Sequence, residues 1–197
     1  MLKQIKILAF VAIILPITTI SQQSNVSVAD TFRYGQNEIA GNFVSVNGIP
    51  LYYEIYGQGE PLLMIHGNGG SISSFENQIP YFARKFKVIA VDSRAQGKSI
   101  DLQDTLSFEM MADDFSVLLD KLKLDSCSVL GWSDGGINGL LLAIRHPEKV
   151  KRLAITGANL WPDSSAISAP DYMWGFNYYD TLGKMPQTPE NIHARKL

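Results

Sequence analysis

The chain has 197 residues, of which 46% are hydrophobic and 18% are charged, and its formal net charge is −2. This is a globular composition with enough apolar material for one core. No long basic or acidic run is present, so the charge pattern gives no sign of binding to nucleic acid or to an anionic membrane surface. We therefore expect a small molecule as the partner.

The first 21 residues are predicted to be a secretory signal peptide. Lys3 and Lys6 precede an apolar stretch over 7–17, which is too short for a stable membrane span, since a span takes roughly 20 residues. Small residues then favour cleavage just before Gln22 and export to the periplasm or the cell exterior. An uncleaved membrane anchor is the alternative. Residues 22–41 are polar and unpatterned, which predicts a flexible lead-in.

Alternating apolar residues over 42–48 and 51–57 predict an antiparallel hairpin with an Asn-Gly turn. Helical periodicity further on predicts one helix capped by Ser107 and a second that runs from a serine motif to Arg145. Four short apolar runs are typical of strands buried on both faces, and they cover 61–65, 88–91, 127–130 and 153–155. Strands that alternate with helices indicate a parallel sheet covered on both sides.

These elements define a predicted core domain over 42–160. Cys127 lies within one of the apolar runs, so we expect a buried core residue and not a catalytic thiol. From 161 to 197 the chain is rich in proline, aromatic and polar residues with weak periodicity, which predicts the start of a lid.

Three loops with distinctive residues directly follow three of the predicted strands. They are HGNGG at 66–70, DSRAQGKS at 92–99 and GWSDG at 131–135. Since loops at the carboxyl ends of parallel strands converge on one edge of a sheet, we expect the three to meet there. The last has the pattern G-x-S-x-G around Ser133, and a strand that turns sharply into a helix strains such a serine and points its hydroxyl above the sheet.

In this order, over 42–159, the hairpin and the three motifs resemble the α/β-hydrolase fold family. The resemblance implies a mostly parallel sheet with an N-terminal antiparallel hairpin, and Ser133 as the nucleophile. It also implies that the backbone N–H groups of Asn68 and Asp134 form the oxyanion hole. Asp134 would lie at a helix N-terminus, where the dipole favours negative charge. Loop-supporting roles are implied for His66, Gly67, Asp92, Arg94, Gly131 and Gly135.

Other interpretations of these residues compete with that one. Ser133 could simply cap a helix after a glycine turn. A metal or phosphate site at 67–70 has little support, because no Lys-Ser or Lys-Thr follows the glycines and no ligand cluster is apparent, so we expect no metal and no cofactor. His146 ends a predicted helix in a His-Pro step and is expected to be structural.

A serine nucleophile needs a base and an acid that orients the base, and in the family the acid and then the histidine follow the nucleophile. Beyond His146 the one histidine is His193, which lacks a preceding strand, and the available acids Asp163, Asp171 and Asp180 follow no convincing strand either. We therefore expect a fold that is incomplete at the C-terminal end. The triad acid and histidine would be absent, catalysis impaired and a sheet edge left open.

Two hypotheses of function follow. The first is a serine hydrolase that acts on esters or related acyl compounds through an acyl-enzyme on Ser133. A serine at this position argues against the dehalogenase and epoxide hydrolase branches, which use a carboxylate, while haloperoxidase-like enzymes, carbon–carbon bond hydrolases, peptidases and acyltransferases remain open. The second is a catalytically silent binding module or a nonfunctional fragment of the same fold.

Overall fold

The computed structural model describes residues 33–158, which contain the predicted core almost in full. The predicted signal peptide at 1–21, the start of the lead-in and the predicted lid at 161–197 lie outside the described residues. Within 33–158 no helix is both long and apolar enough to cross a membrane.

Six strands form a single sheet within 33–158. The strands are β1 Gly41–Val46, β2 Ile49–Tyr56, β3 Glu60–Ile65, β4 Phe86–Val91, β5 Cys127–Trp132 and β6 Val150–Thr156. Their order in the sheet is β1-β2-β4-β3-β5-β6. β1 and β2 form the predicted antiparallel hairpin around an Asn47-Gly48 turn, and β2 also pairs antiparallel with β4. The pairs β4–β3, β3–β5 and β5–β6 are parallel. The sheet confirms the predicted fold class, a mostly parallel sheet with an N-terminal hairpin.

The helices also follow the sequence pattern closely. The helices are α1 Ile79–Phe82, α2 Phe108–Lys121 and α3 Asp134–Arg145, with short 3-10 turns over Ile72–Phe75 and Pro147–Lys149. Ser107 caps α2, since its side chain accepts a hydrogen bond from the amide of Met110 at 3.2 Å. The second predicted helix is α3, which ends at Arg145 before the His-Pro step.

Apolar side chains cover the two faces of the sheet in separate clusters. One lies between the sheet and helices α2 and α3, and includes Phe115, Leu118 and Leu119. Cys127 is buried in the same cluster, and burial raises the pKa of its thiol to about 11, so it stays protonated and unreactive. The other lies between the sheet and the 3-10 turn at 72–75 with α1.

Strand β6 differs from the expectation of a strand buried on both faces. Only Val150 and Leu153 are half-buried, and Ile155 is 40% exposed. Among the described residues β6 pairs with β5 along one edge and packs against α3. Its other edge and other face therefore receive no partner within 33–158.

The last part of the predicted lead-in also differs from the expectation of a flexible segment. Residues 33–40, the N-terminal strap, are bound to the sheet by the buried carboxylate of Glu54 on β2. This carboxylate accepts the amides of Gly35 at 2.8 Å and Asn37 at 2.9 Å. This polar segment is thus held by hydrogen bonds from its backbone amides. A hydropathy pattern does not predict such bonds.

A buried ion cluster ties the loop after β4 to α2. Arg94 is 1% exposed, and its guanidinium binds Asp114 through two hydrogen bonds of 2.6 and 2.8 Å. It also binds the carboxylate of Asp101 at 3.0 Å and the backbone carbonyl of Asn47 in the hairpin turn at 3.2 Å. Burial raises the pKa of Asp114, although the bonds from Arg94 oppose this. The cluster holds three separate parts of the chain together.

We predict that Asp114→Ala lowers the free energy of unfolding by about 3–5 kcal/mol, because it leaves a buried guanidinium without its two-point partner. The neighbouring Asp113 provides a matched control, since it pairs with Arg145 where both side chains are partly exposed. Asp113→Ala should cost less than about 1 kcal/mol. Urea unfolding of both variants measures the difference, and equal losses would contradict a structural role for the buried cluster.

Candidate active site

Ser133 lies at the sharp turn between β5 and α3, in a strained backbone conformation with φ 55° and ψ −123°. A non-glycine residue in such a region costs about 1–3 kcal/mol and persists only where its surroundings hold it. Here its amide donates to the carbonyl of Thr156 on β6 at 2.8 Å, and its carbonyl accepts the amide of Gly136 at 2.7 Å. Its side chain makes no capping hydrogen bond to α3. The geometry therefore disfavours the helix-cap interpretation of Ser133.

The glycines on either side of Ser133 allow three backbones to meet. A Cβ atom at Gly131 would lie 2.3 Å from the carbonyl oxygen of Gly135. A Cβ atom at Gly135 would lie 2.0 Å from the carbonyl oxygen of Ile65, at the end of β3. Both separations are far below van der Waals contact, so any side chain here would force α3 away from the sheet. The turn at Ser133 thus depends on glycine at both positions.

The HGNGG loop, residues 66–70, runs beside the serine. A Cβ atom at Gly67 would lie 3.0 Å from Cβ of Ser133. The loop closes on itself, because the amide of Gly70 donates to the carbonyl of Gly67 at 3.1 Å. That carbonyl belongs to the same peptide unit as the amide of Asn68, and in a trans peptide the two point in opposite directions. Fixing the carbonyl therefore fixes the direction of the Asn68 N–H.

His66 holds the same carbonyl from the other side. Its Nε2 accepts the amide of Ser93 at 3.1 Å, so Nδ1 carries the proton and donates to the Gly67 oxygen at 2.7 Å. Burial lowers the pKa of His66 to about 4, even though the bond to Gly67 favours protonation. The ring is therefore neutral near pH 7, with both nitrogens occupied.

Asp92 joins the loop after β4 to the segment that follows the HGNGG loop. Its carboxylate accepts the amides of Ile72 and Lys98, both at 2.8 Å. Burial raises its pKa to about 6, against the effect of these two hydrogen bonds. A Cβ atom at Gly97 would lie 2.2 Å from the carboxylate, so glycine is needed for the loop to wrap around it. Asp92 and Arg94 thus bind backbone groups and neighbouring side chains.

The remaining predicted residue, Asp134, begins α3. The first amides of a helix have no partner within the helix, and its dipole places partial positive charge there. The side chain of Asp134 is half-buried, and burial raises its pKa. The amides of Asp134 and Asn68 thus come from segments that adjoin Ser133 on two sides.

Of the histidines and acids beyond Ser133 that were considered, His146 alone lies within 33–158. His146 is at the opposite end of the twelve-residue helix α3, roughly 18 Å along its axis from Ser133, and its Nε2 lies 2.7 Å from Asp113. The other candidates, His193, Asp163, Asp171 and Asp180, lie outside the described residues. Across 33–158 there is also no group of three potential metal-ligating side chains.

The structure adds supporting residues that sequence reasoning missed. The hydroxyl of Ser99 donates to the backbone carbonyl of Asp92 at 2.7 Å and accepts the amide of Tyr52. Gly157, with φ 65°, follows β6 beside Trp132 and the Ser133 amide. A Cβ atom at Gly136 would lie 2.8 Å from Cβ of Ala158. Gly157, directly after β6, is the sequence signal that could have predicted this close approach between the segment after β6 and the start of α3.

Comparison with known proteins gives a family for this arrangement. A family model described as alpha/beta hydrolase fold matches residues 60–197. The chain is 34% identical over 146 residues to a 2-hydroxymuconate semialdehyde hydrolase of Pseudomonas sp. strain CF600, covering 70% of this chain and 50% of that protein. It is 36% identical over 124 residues to the human serine hydrolase BPHL, covering 60% of this chain and 43% of that protein. The chain spans about half the length of the curated relatives it matches.

Among solved structures, the chain is similar to Est816, described as an N-acyl homoserine lactone degrading enzyme. The TM-score is 0.59 at 27% identity, over 78% of this chain and 64% of that one. A hydrolase from Pseudomonas aeruginosa shares the fold, with a TM-score of 0.63 at 22% identity, over 81% of this chain and 67% of that one. From the extent of the family match and the shared sheet, the chain belongs to the alpha/beta hydrolase fold family.

Proposed function

We propose that this protein is a serine hydrolase that cleaves esters or related small acyl compounds through an acyl-enzyme on Ser133. The observation that carries the proposal is the strained turn at Ser133, which holds a serine above the strand ends with no capping hydrogen bond to α3. In the first step Oγ bonds to the substrate carbonyl carbon, the leaving group departs with a proton, and the acyl group stays on the serine. Water then cleaves the acyl–serine bond.

The amides of Asn68 and Asp134 are proposed to stabilise the oxyanion that forms on the carbonyl oxygen. Donors aimed at that charge beforehand are effective because they need no reorganisation during the reaction, and one such donor is worth about 3 kcal/mol in characterised enzymes. His66 and Gly70 support this role by fixing the carbonyl of Gly67. Asp92 and Arg94 are proposed to hold the surrounding loops in place.

A base must remove the proton of Ser133, and neither histidine within 33–158 is placed to do so. Both ring nitrogens of His66 are occupied, and burial keeps the ring neutral with a pKa near 4. His146 is at the far end of α3, where it contacts Asp113. We infer that the base and the acid that orients it come from outside the described residues.

The choice of a small acyl substrate is supported by the fold and by the relatives. The similar proteins include a 2-hydroxymuconate semialdehyde hydrolase, a serine hydrolase and an N-acyl homoserine lactone degrading enzyme. We also propose export of the protein, on the basis of the N-terminal signal pattern.

Ser133→Ala should abolish covalent labelling of the full chain by a fluorophosphonate probe, because the probe reacts with an activated serine hydroxyl. Ser45→Ala is the control, since Ser45 is an exposed serine on β1, the strand farthest from β6 in the sheet. Labelling is read by gel fluorescence and by peptide mass spectrometry. A folded wild-type chain that takes no label would favour the catalytically silent module instead.

The imidazole of His66 should remain neutral, with its proton on Nδ1, as the pH falls from about 7.5 to 5, since its pKa is near 4. The unfolded chain has an ordinary histidine pKa near 6.5 and binds the proton earlier, so this group disfavours the folded state as the pH falls from about 6.5 to about 4. Nitrogen NMR of the ring measures the tautomer and the titration directly. Protonation of the folded protein with a midpoint near 6.5 would refute the structural role and make His66 a candidate base.

A further inference from the structure

Glu54 is a fully buried carboxylate on β2 whose partners are hydrogen-bond donors without formal charge. It receives four hydrogen bonds of 2.7–2.9 Å, from the hydroxyls of Tyr52 and Tyr56 and the amides of Gly35 and Asn37. An ionised carboxylate offers about four acceptor sites, so this one is fully satisfied. Such a complete set of donors indicates a built structural site for the carboxylate.

The four donors divide between the sheet and the N-terminal strap. Tyr52 and Tyr56 are on β2 itself, and burial together with the hydrogen bond to Glu54 raises the pKa of each phenol above its usual 10. Both hydroxyls therefore stay protonated and continue to donate. The amides of Gly35 and Asn37 belong to the strap, so Glu54 fastens the strap to the sheet.

The strap rests directly on the 3-10 turn over Ile72–Phe75. A Cβ atom at Gly35 would lie 3.5 Å from the amide nitrogen of Ser73 and 3.7 Å from Cβ of Ile72. Gly35 has φ 83°, a conformation that other residues rarely adopt. An added Cβ atom at Gly35 would therefore reach ordinary van der Waals contact with the turn, and the side chain of Tyr34 in the strap packs against the apolar cluster that contains Ile72 and Phe75.

The 3-10 turn also adjoins the HGNGG loop. A Cβ atom at Gly70 would lie 2.8 Å from Oγ of Ser74 and 3.1 Å from Nδ1 of His66. Ser71 and Ser74 form a capping box that joins the loop to the turn. A shift of the turn would therefore move Gly70, which donates to the carbonyl of Gly67.

We propose that Glu54 is a positioning residue for the candidate active site. By holding the N-terminal strap against the 3-10 turn, it fixes the HGNGG loop and with it the direction of the Asn68 amide. The catalytic consequence rests on the proposed function of that amide. The mechanical coupling between Glu54 and the loop does not depend on that function, and it can be measured separately.

Native-state amide hydrogen exchange of the full chain tests the coupling. Glu54→Gln replaces one acceptor oxygen with an NH2 group that faces other donors, which should release the strap. We expect exchange of the Gly70 and Ser74 amides to accelerate at least tenfold, while amides of β5 keep their wild-type rates. Faster exchange confined to 33–41, with 66–75 unchanged, would overturn the proposal.

Two further variants make the exchange test specific. Ser107→Ala removes the cap of α2, which packs on the opposite face of the sheet, so it destabilises the protein without touching the strap. In Ser107→Ala, the exchange rates of the Gly70 and Ser74 amides should keep their wild-type ratio to the rates of the β5 amides. Gly35→Ala keeps Glu54 intact but strains the strap, so it should also accelerate exchange of the Gly70 and Ser74 amides. This variant provides the test if Glu54→Gln does not fold.

The rate of fluorophosphonate labelling at Ser133 tests the catalytic consequence. It should fall several-fold in Glu54→Gln and stay near the wild-type rate in Ser107→Ala. An unchanged labelling rate together with faster exchange at Gly70 would refute the positioning role. If wild-type Ser133 takes no label at all, the proposed function fails, while the exchange measurement still decides whether Glu54 controls the loop.

Discussion

The close approach of three backbones around Ser133 is the constraint on which the rest of the structure depends. The ends of β3 and β5 and the first turn of α3 meet at distances that leave no room for a Cβ atom at Gly131 or Gly135. This crowding keeps Ser133 in a conformation that an isolated chain would rarely adopt. The strain is opposed by the parallel pairing of β5 with both of its neighbours, so the sheet and the turn at Ser133 stabilise each other.

Around this centre, buried polar groups fix loops that apolar packing alone would leave variable. His66 and Asp92 bind backbone groups of the loops after β3 and β4, and Arg94 binds α2 and the hairpin turn. Glu54 does the same for the N-terminal strap. Buried polar groups are costly unless every donor and acceptor is matched, so each of these residues specifies one loop arrangement over others.

Much of this arrangement was predictable from the sequence, because strong local signals coincide with it. Short apolar runs, the Asn-Gly turn and the Ser107 cap gave the strands and helices, and the position of Ser133 followed from its flanking glycines. The roles of Glu54 and Ser99 were not predictable, since a carboxylate or hydroxyl that binds distant backbone amides has no periodic signature. The exposure of β6 differed because that strand's apolar composition does not reveal which faces its neighbours cover.

Ser133 is proposed to form a covalent intermediate through its Oγ, with a base inferred to come from outside the described residues. Trapping that intermediate is the most direct test. The full chain is incubated with a short-chain aryl ester, quenched in acid, digested and analysed by peptide mass spectrometry. The account predicts one acyl group on Ser133, within the peptide that joins β5 to α3. A folded protein that carries no acyl group there, or that carries it on another residue, would contradict the central claim.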